Sequence, residues 1–202
     1  MCMKARYQTA IEEKLEVLQT LQETDYFDAL DIVYQVIADC FYKGKKVILA
    51  GNGGSASDAQ HFAGELMGRF EKNRMALPAV ALTSDSSVMT CIGNDYGFEQ
   101  SFARQIEGLG HAGDVFFAIS TSGNSGNIIK AVECAKKKGM KTVLLSGRTG
   151  GVLAGMCDYK LLVPSEHVSR IQEIHIFTIH TLCELIDEDF SKGIKNIGCD
   201  AE

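Results

Sequence analysis

Five short apolar runs, "KKVILA", "PAVAL", "DVFFAI", "KTVLLS" and "YKLLV", follow one another after residue 45, alternating with helix-periodic segments at about 56–70, 98–109, 125–138 and 169–190. Alternation of this kind predicts a three-layer α/β sandwich, a central parallel sheet of about five strands with helices on both faces. The runs are apolar at nearly every position, as strands buried on both sides require. Ahead of them, Ile11, Leu15, Leu18 and Leu21, then Phe27, Leu30, Val33, Val36, Ile37 and Phe41, recur at helical spacing until Gly44. These predict N-terminal helices over about 5–43, preceding an α/β core over about 46–190. The tail at about 191–202, "SKGIKNIGCDAE", reads as frayed. With no repeat, low-complexity tract or linker, a single domain over 1–202 is expected.

Size and charge narrow the function classes. A chain of 202 residues with 46% apolar content can bury roughly 70% of its unfolded surface in one core. Twenty basic against 26 acidic residues give a net charge of −6, so no broad attraction to nucleic acid or an anionic membrane is expected. Any anionic ligand must be held by local groups. Seven cysteines, scattered and without a CxxC pair, argue against a disulfide framework and a zinc ribbon and for a reducing cytoplasm. No export signal and no run of about 18 apolar residues is recognisable.

In an open α/β sheet, ligands bind beyond the carboxyl ends of the strands. Two loops there stand out. The first, "GNGGSASDAQHFAGE" at 51–65, formally matches G-x-G-x-x-A through Gly51, Gly53 and Ala56. The acid that would hold a nucleotide ribose, Asp85, comes about 30 residues on instead of about 20, and no Gly-Lys-Ser/Thr follows for a Walker loop. The second, "ISTSGNSGN" at 119–127, offers the hydroxyls of Ser120, Thr121, Ser122 and Ser125 at the start of a helix. Free N–H groups and the partial positive charge of a helix N-terminus complete a phosphate nest without any Lys or Arg. Two such loops on one sheet suit a small ligand with a phosphate at one end and hydroxyls along the rest, hence a sugar phosphate. A third polar loop is expected over 87–100, where Asn94 and Asp95 either end a turn or bind sugar hydroxyls.

On the helix after Gly54, Ala59, Phe62, Ala63, Leu66 and Phe70 form an apolar stripe, with Asp58, His61, Glu65 and Arg69 on a polar stripe beside it. Either this is a solvated face with a Glu65–Arg69 pair, or His61 and Glu65, one turn apart, share a metal or hold a carboxylate base. Gly64 and Gly68, unfavourable inside a helix by roughly 1 kcal/mol each, point to another backbone approaching there. The last helix is apolar almost all round, so Gln172, His175 and His180 need partners. Gln172 and His180 lie about 12 Å apart along the axis and about 80° around it. To meet at one ion they must lean together or come from different chains.

"GNGGSASDAQHFAGE", "GNDYGF", "ISTSGNS" and "RIQEIHIFTIH", in this order and spacing, resemble the phosphoheptose isomerases of the sugar isomerase (SIS) fold family, over nearly the whole chain. The resemblance implies an aldose–ketose isomerase acting on sedoheptulose 7-phosphate, in a cytoplasmic homotetramer with active sites at subunit interfaces. It assigns Glu65 as catalytic base and His180 as its acid/base partner. It assigns His61, Glu65, Gln172 and His180 as zinc ligands, and Asn52, Gly53, Gly54, Glu65, Asn94, Asp95, Ser120, Thr121, Ser122, Ser125 and Gln172 as substrate-binding positions. His167, in "PSEHV", matches nothing and receives no role. Two rivals remain: a non-catalytic member of this fold binding the replication initiator, and an isomerase of another sugar phosphate. Retention of Glu65 and His180 favours an enzyme.

Overall fold

The structure, a computed structural model, describes residues 3–192; most of the tail expected to fray lies outside them. Helices α1 (Met3–Gln22) and α2 (Tyr26–Tyr42) lead into β1 (Val47–Gly51), α3 (Gly54–Met67), β2 (Ala79–Ala81), α4 (Ser86–Tyr96), α5 (Ala103–Leu109), β3 (Val115–Ser120), α6 (Gly126–Lys137), β4 (Lys141–Gly147), β5 (Tyr159–Val163) and α7 (Val168–Phe190). Short 3-10 turns occupy Phe98–Gln100 and Val152–Gly155. All five strands pair in parallel in the order β2-β1-β3-β4-β5.

Alternate strand residues feed two cores. Val47, Leu49, Phe117 and Leu145 point to one face, where α1, α2, α3 and α7 cover them. Ile48, Phe116 and Leu144 point to the other, under α5 and α6. β1 and β3 are buried at every residue, which is why their sequence shows no polar alternation. The expected three-layer sandwich is thus present.

Three expectations need correction. Residues 87–100 are not a loop: Ser86–Tyr96 forms α4, whose N-cap Asp85 accepts from the Val88 amide at 3.0 Å. Ile92 is its one buried residue, so the apolar stripe that announces a helix is missing. The stripe of α1 does not bury throughout: Val17 and Leu21 are buried, but Ile11 and Leu15 are 59% and 52% exposed. Gly64 meets no other backbone within this chain, since a Cβ there would find nothing within 4 Å. Gly68 ends α3 by donating to Gly64 O at 2.8 Å.

On α7, one face (Ile171, Ile174, His175, Thr178, Ile179, Leu182, Cys183, Ile186, Asp187) is buried, while Phe177 remains exposed. His175 is wholly buried, and neither ring nitrogen reaches a partner in hydrogen-bond geometry among the described residues. Burial pulls its pKa from 6.5 to about 4, against a weaker opposite pull from the Ser146 backbone. In the unfolded chain this imidazole titrates at about 6.5. Its contribution to stability is therefore complete above that pH and declines as the pH falls towards 4, by about 3 kcal/mol in all. Urea denaturation followed between pH 7.5 and pH 4.5 should show that decline, and His175→Leu should flatten it.

Candidate active site

The order of the strands reverses between β1 and β3: β1 runs on to β2 on one side, β3 to β4 and β5 on the other. Loops leaving such a pair diverge and open a crevice at the carboxyl edge. Both glycine and serine loops stand there, residues 52–54 after β1 and 121–125 after β3. Asn52 and Asn127 tie them together by a reciprocal amide pair, each Nδ2 donating to the other's Oδ1 at 2.9 Å. Asn127 is buried and reaches towards Ser101 Oγ as well.

The serine loop is held from below. Ser120 Oγ lies 3.3 Å from Ser125 Oγ and accepts from the Gly123 amide at 3.2 Å. Ser146 Oγ donates to Ser120 O at 2.5 Å. Gly123 has φ +65°, and a Cβ there would stand 1.8 Å from Gly150 O, so only glycine fits. Asn124 accepts from the Val152 amide at 3.0 Å and donates to Ser122 O at 3.0 Å. The loop after β4 thus clamps the serine loop, in which Ser122 is exposed and its Oγ accepts from the Asn124 amide at 3.2 Å.

Glu65, His61 and His180 converge. His61 Nε2 lies 3.2 Å from Glu65 Oε1 and 3.4 Å from His180 Nε2. Phe70 also stacks on His180, ring centroids 5.3 Å apart at 28°. Gln172, two turns earlier on α7, packs instead against the first turn of α3, where a Cβ on Gly54 would meet Gln172 Nε2 at 2.5 Å. An open depression of about 440 Å³ lies between the two helices, lined by Ser57, Asp58, His61, Ser169, Gln172 and Glu173.

Donor atoms around a tetrahedral zinc ion, with bonds of about 2.0–2.1 Å, stand about 3.3–3.4 Å apart. The two contacts of His61 have that length, and imidazole and carboxylate are the donors zinc takes. The three side chains do not close into a finished centre: among the described residues no group of three His, Cys, Asp or Glu is arranged to hold a metal. The donors fit zinc in kind, and His61 stands at such a spacing from each of the other two, with Gln172 apart.

Asn94 and Asp95 end α4, and Asn94 Nδ2 donates to Asp95 Oδ1 at 2.7 Å. Neither makes a side-chain hydrogen bond to another candidate residue among the described residues. Glu65 sits 11 residues beyond Gly54, about 16 Å along α3 at 1.5 Å per residue. Within one chain the acid/base cluster thus lies towards the opposite end of α3 from the glycine loop, which Asn52 ties to Asn127 beside the serine loop.

A family model described as "SIS domain" matches residues 6–147. The phosphoheptose isomerase of Campylobacter concisus is 49% identical over 184 residues, 90% of this chain and 97% of that one. Among solved structures, the phosphoheptose isomerase GmhA of Neisseria gonorrhoeae superposes with a TM-score of 0.87 at 42% identity, covering 93% of this chain and all of that one. That of Francisella tularensis does so with a TM-score of 0.89 at 38% identity over 93% of this chain and all of that one. The chain belongs to the phosphoheptose isomerases of the SIS domain family.

Membership makes the residues not singled out from the sequence informative. Asn127, Ser57 and Ser169 stand among the candidate groups by geometry alone, beside Asp58 of the polar stripe. Asp58 carries a buried Oδ2 with no partner, and burial raises its pKa, opposed by His61. For Asn127 the sequence did hold a signal, an amide in the first turn of a helix whose neighbours Ile128, Ala131 and Val132 are core. Asn127→Ala leaves the Asn52 amide without its partner, at about 1–3 kcal/mol. It should raise the KM for a sugar phosphate about tenfold or more in steady-state assays while thermal unfolding stays cooperative.

Proposed function

We propose that this chain is an aldose–ketose isomerase converting sedoheptulose 7-phosphate to D-glycero-D-manno-heptose 7-phosphate, the first step towards nucleotide-activated heptose for surface glycans. The meeting of Glu65 with His61 and His180, in a chain so similar to named phosphoheptose isomerases, is the observation that carries this reading. The regulatory alternative gains no support, because a protein-binding scaffold has no use for that convergence.

Isomerisation moves one proton between adjacent carbons and one between the two oxygens, through an enediol. The Glu65 carboxylate takes the carbon-bound proton and returns it to the neighbouring carbon. The His180 imidazole carries the proton between the oxygens, its plane fixed by Phe70. Thr121, Ser122 and Ser125, with the free amides of α6, hold the phosphate; Asn52, Gly53, Gly54, Asn94, Asp95 and Gln172 line the sugar. His61, Glu65, Gln172 and His180 are the residues that would hold a zinc ion, which would supply polarisation of the carbonyl.

The working unit is a cytoplasmic homotetramer in which a neighbouring copy brings its acid/base cluster to the serine loop. Two observations support it. The cluster and the loop of one chain are separate, and Met3, Tyr7, Ile11 and Leu15, at i, i+4 spacing on α1, are each more than half exposed. The whole chain acts as one domain, since β5 and α7, beyond the family-model match, complete the sheet and supply His180. Among the described residues no helix is long and apolar enough to cross a membrane.

Glu65→Gln should lower turnover of sedoheptulose 7-phosphate by about 10²- to 10⁴-fold with KM changed little, the aldose phosphate being followed by NMR. Near-normal turnover would remove Glu65 from the mechanism. Ile11→Asp with Leu15→Asp should shift the protein from tetramer to smaller species in light scattering and abolish turnover while the helical circular dichroism persists. An active monomer would overturn the shared site.

A further inference from the structure

Beyond α3 the chain doubles back and buries an arginine that the chemistry above does not use. The Arg74 and Asp187 side chains are 0% and 1% exposed, and Arg74 Nε donates to Asp187 Oδ1 at 2.6 Å. The rest of the guanidinium fork addresses the end of α3: Nη2 donates to Glu65 O at 2.7 Å and Nη1 to Leu66 O at 2.9 Å and Met75 O at 3.0 Å. The other carboxylate oxygen, Asp187 Oδ2, accepts from the Glu71 and Lys72 amides, both at 2.8 Å. Every bond is charge-assisted, and those from Arg74 to Asp187 and to Leu66 O are fully buried, the class whose geometry is hardest to deform.

One end of this network is the backbone of Glu65. The other is α7, seven residues and two turns beyond His180, about 10 Å along the axis. A solvated basic residue would suffice to cap the free carbonyls of α3 and complement its dipole. Two buried charges bonded in six directions go well beyond a cap. Burying such a pair seldom adds net stability over an apolar replacement, whereas breaking it is strongly destabilising. Stability alone therefore gives a weak reason for the arrangement, and geometry a stronger one.

We propose that Arg74 and Asp187 are positioning residues that fix the last turn of α3 against α7, and so hold Glu65 at working distance from His180. The inference rests on the assignment of Glu65 and His180 as the acid/base pair. Arginine is needed because only its planar fork reaches the carboxylate and two successive carbonyls at once; an ammonium reaches one of them.

Arg74→Lys and Asp187→Asn are compared with Met140→Ala, a buried truncation at the amino-terminal end of β4, opposite the crevice. Turnover is measured at a temperature where each variant is fully folded, as judged by its own melting curve. Arg74→Lys and Asp187→Asn should lower kcat about tenfold or more with KM within about threefold, a tenfold loss in kcat being about 1.4 kcal/mol of activation barrier. Met140→Ala should lower the melting temperature with kcat unchanged. If kcat per folded molecule in Arg74→Lys matches the parent, the pair is merely structural and the proposal falls, whatever Asp187→Asn does. Glu65→Gln in the same assay separates the two levels: if it retains turnover, the acid/base assignment fails first. If it loses turnover while Arg74→Lys keeps it, the positioning role alone fails.

Discussion

Reversal of strand order between β1 and β3 is the constraint on which the rest of the molecule depends. Two parallel neighbours whose chains leave in opposite directions cannot fill the space between their ends, so a crevice is unavoidable. The protein places its two most flexible-looking stretches there and then removes their freedom. A paired amide joins them across the gap, Ser146 supports one from beneath, and the turn after β4 presses on it from the side. The outcome is a braced polar rim of hydroxyls and helix amides, in a protein of net charge −6.

The sheet was legible in the sequence because its strands are buried on both faces, and a run such as "DVFFAI" has no other comfortable place. The α4 segment was not, since a helix with a single buried residue carries no period to detect. The α1 stripe shows the opposite failure: periodicity announced a buried face of which this chain buries only the last part. Ile11 and Leu15 obey the same spacing as Leu21 and lie on the outside.

The candidate site divides along similar lines. Serine, threonine and glycine after β3 are local features, so spacing along the chain suffices to find them. His61 and His180, 119 residues apart, meet because α3 and α7 pack side by side, which no local pattern specifies. The helical spacing of Gln172 and His180 did anticipate that they stand well apart along α7. Arg74 and Asp187 gave no signal at all: an isolated arginine in "EKNRMALP" and one of several acids in "LIDEDF" look solvated until the fold brings them together.

Gly123 lies so close against Gly150 that neither loop has slack with respect to the other. An insertion, deletion or side chain acquired in one would have to be matched in the other at the same time. The stretches 120–125 and 147–155 thus form a single packing unit. Attempts to graft a different ligand preference onto this scaffold would have to transplant both together.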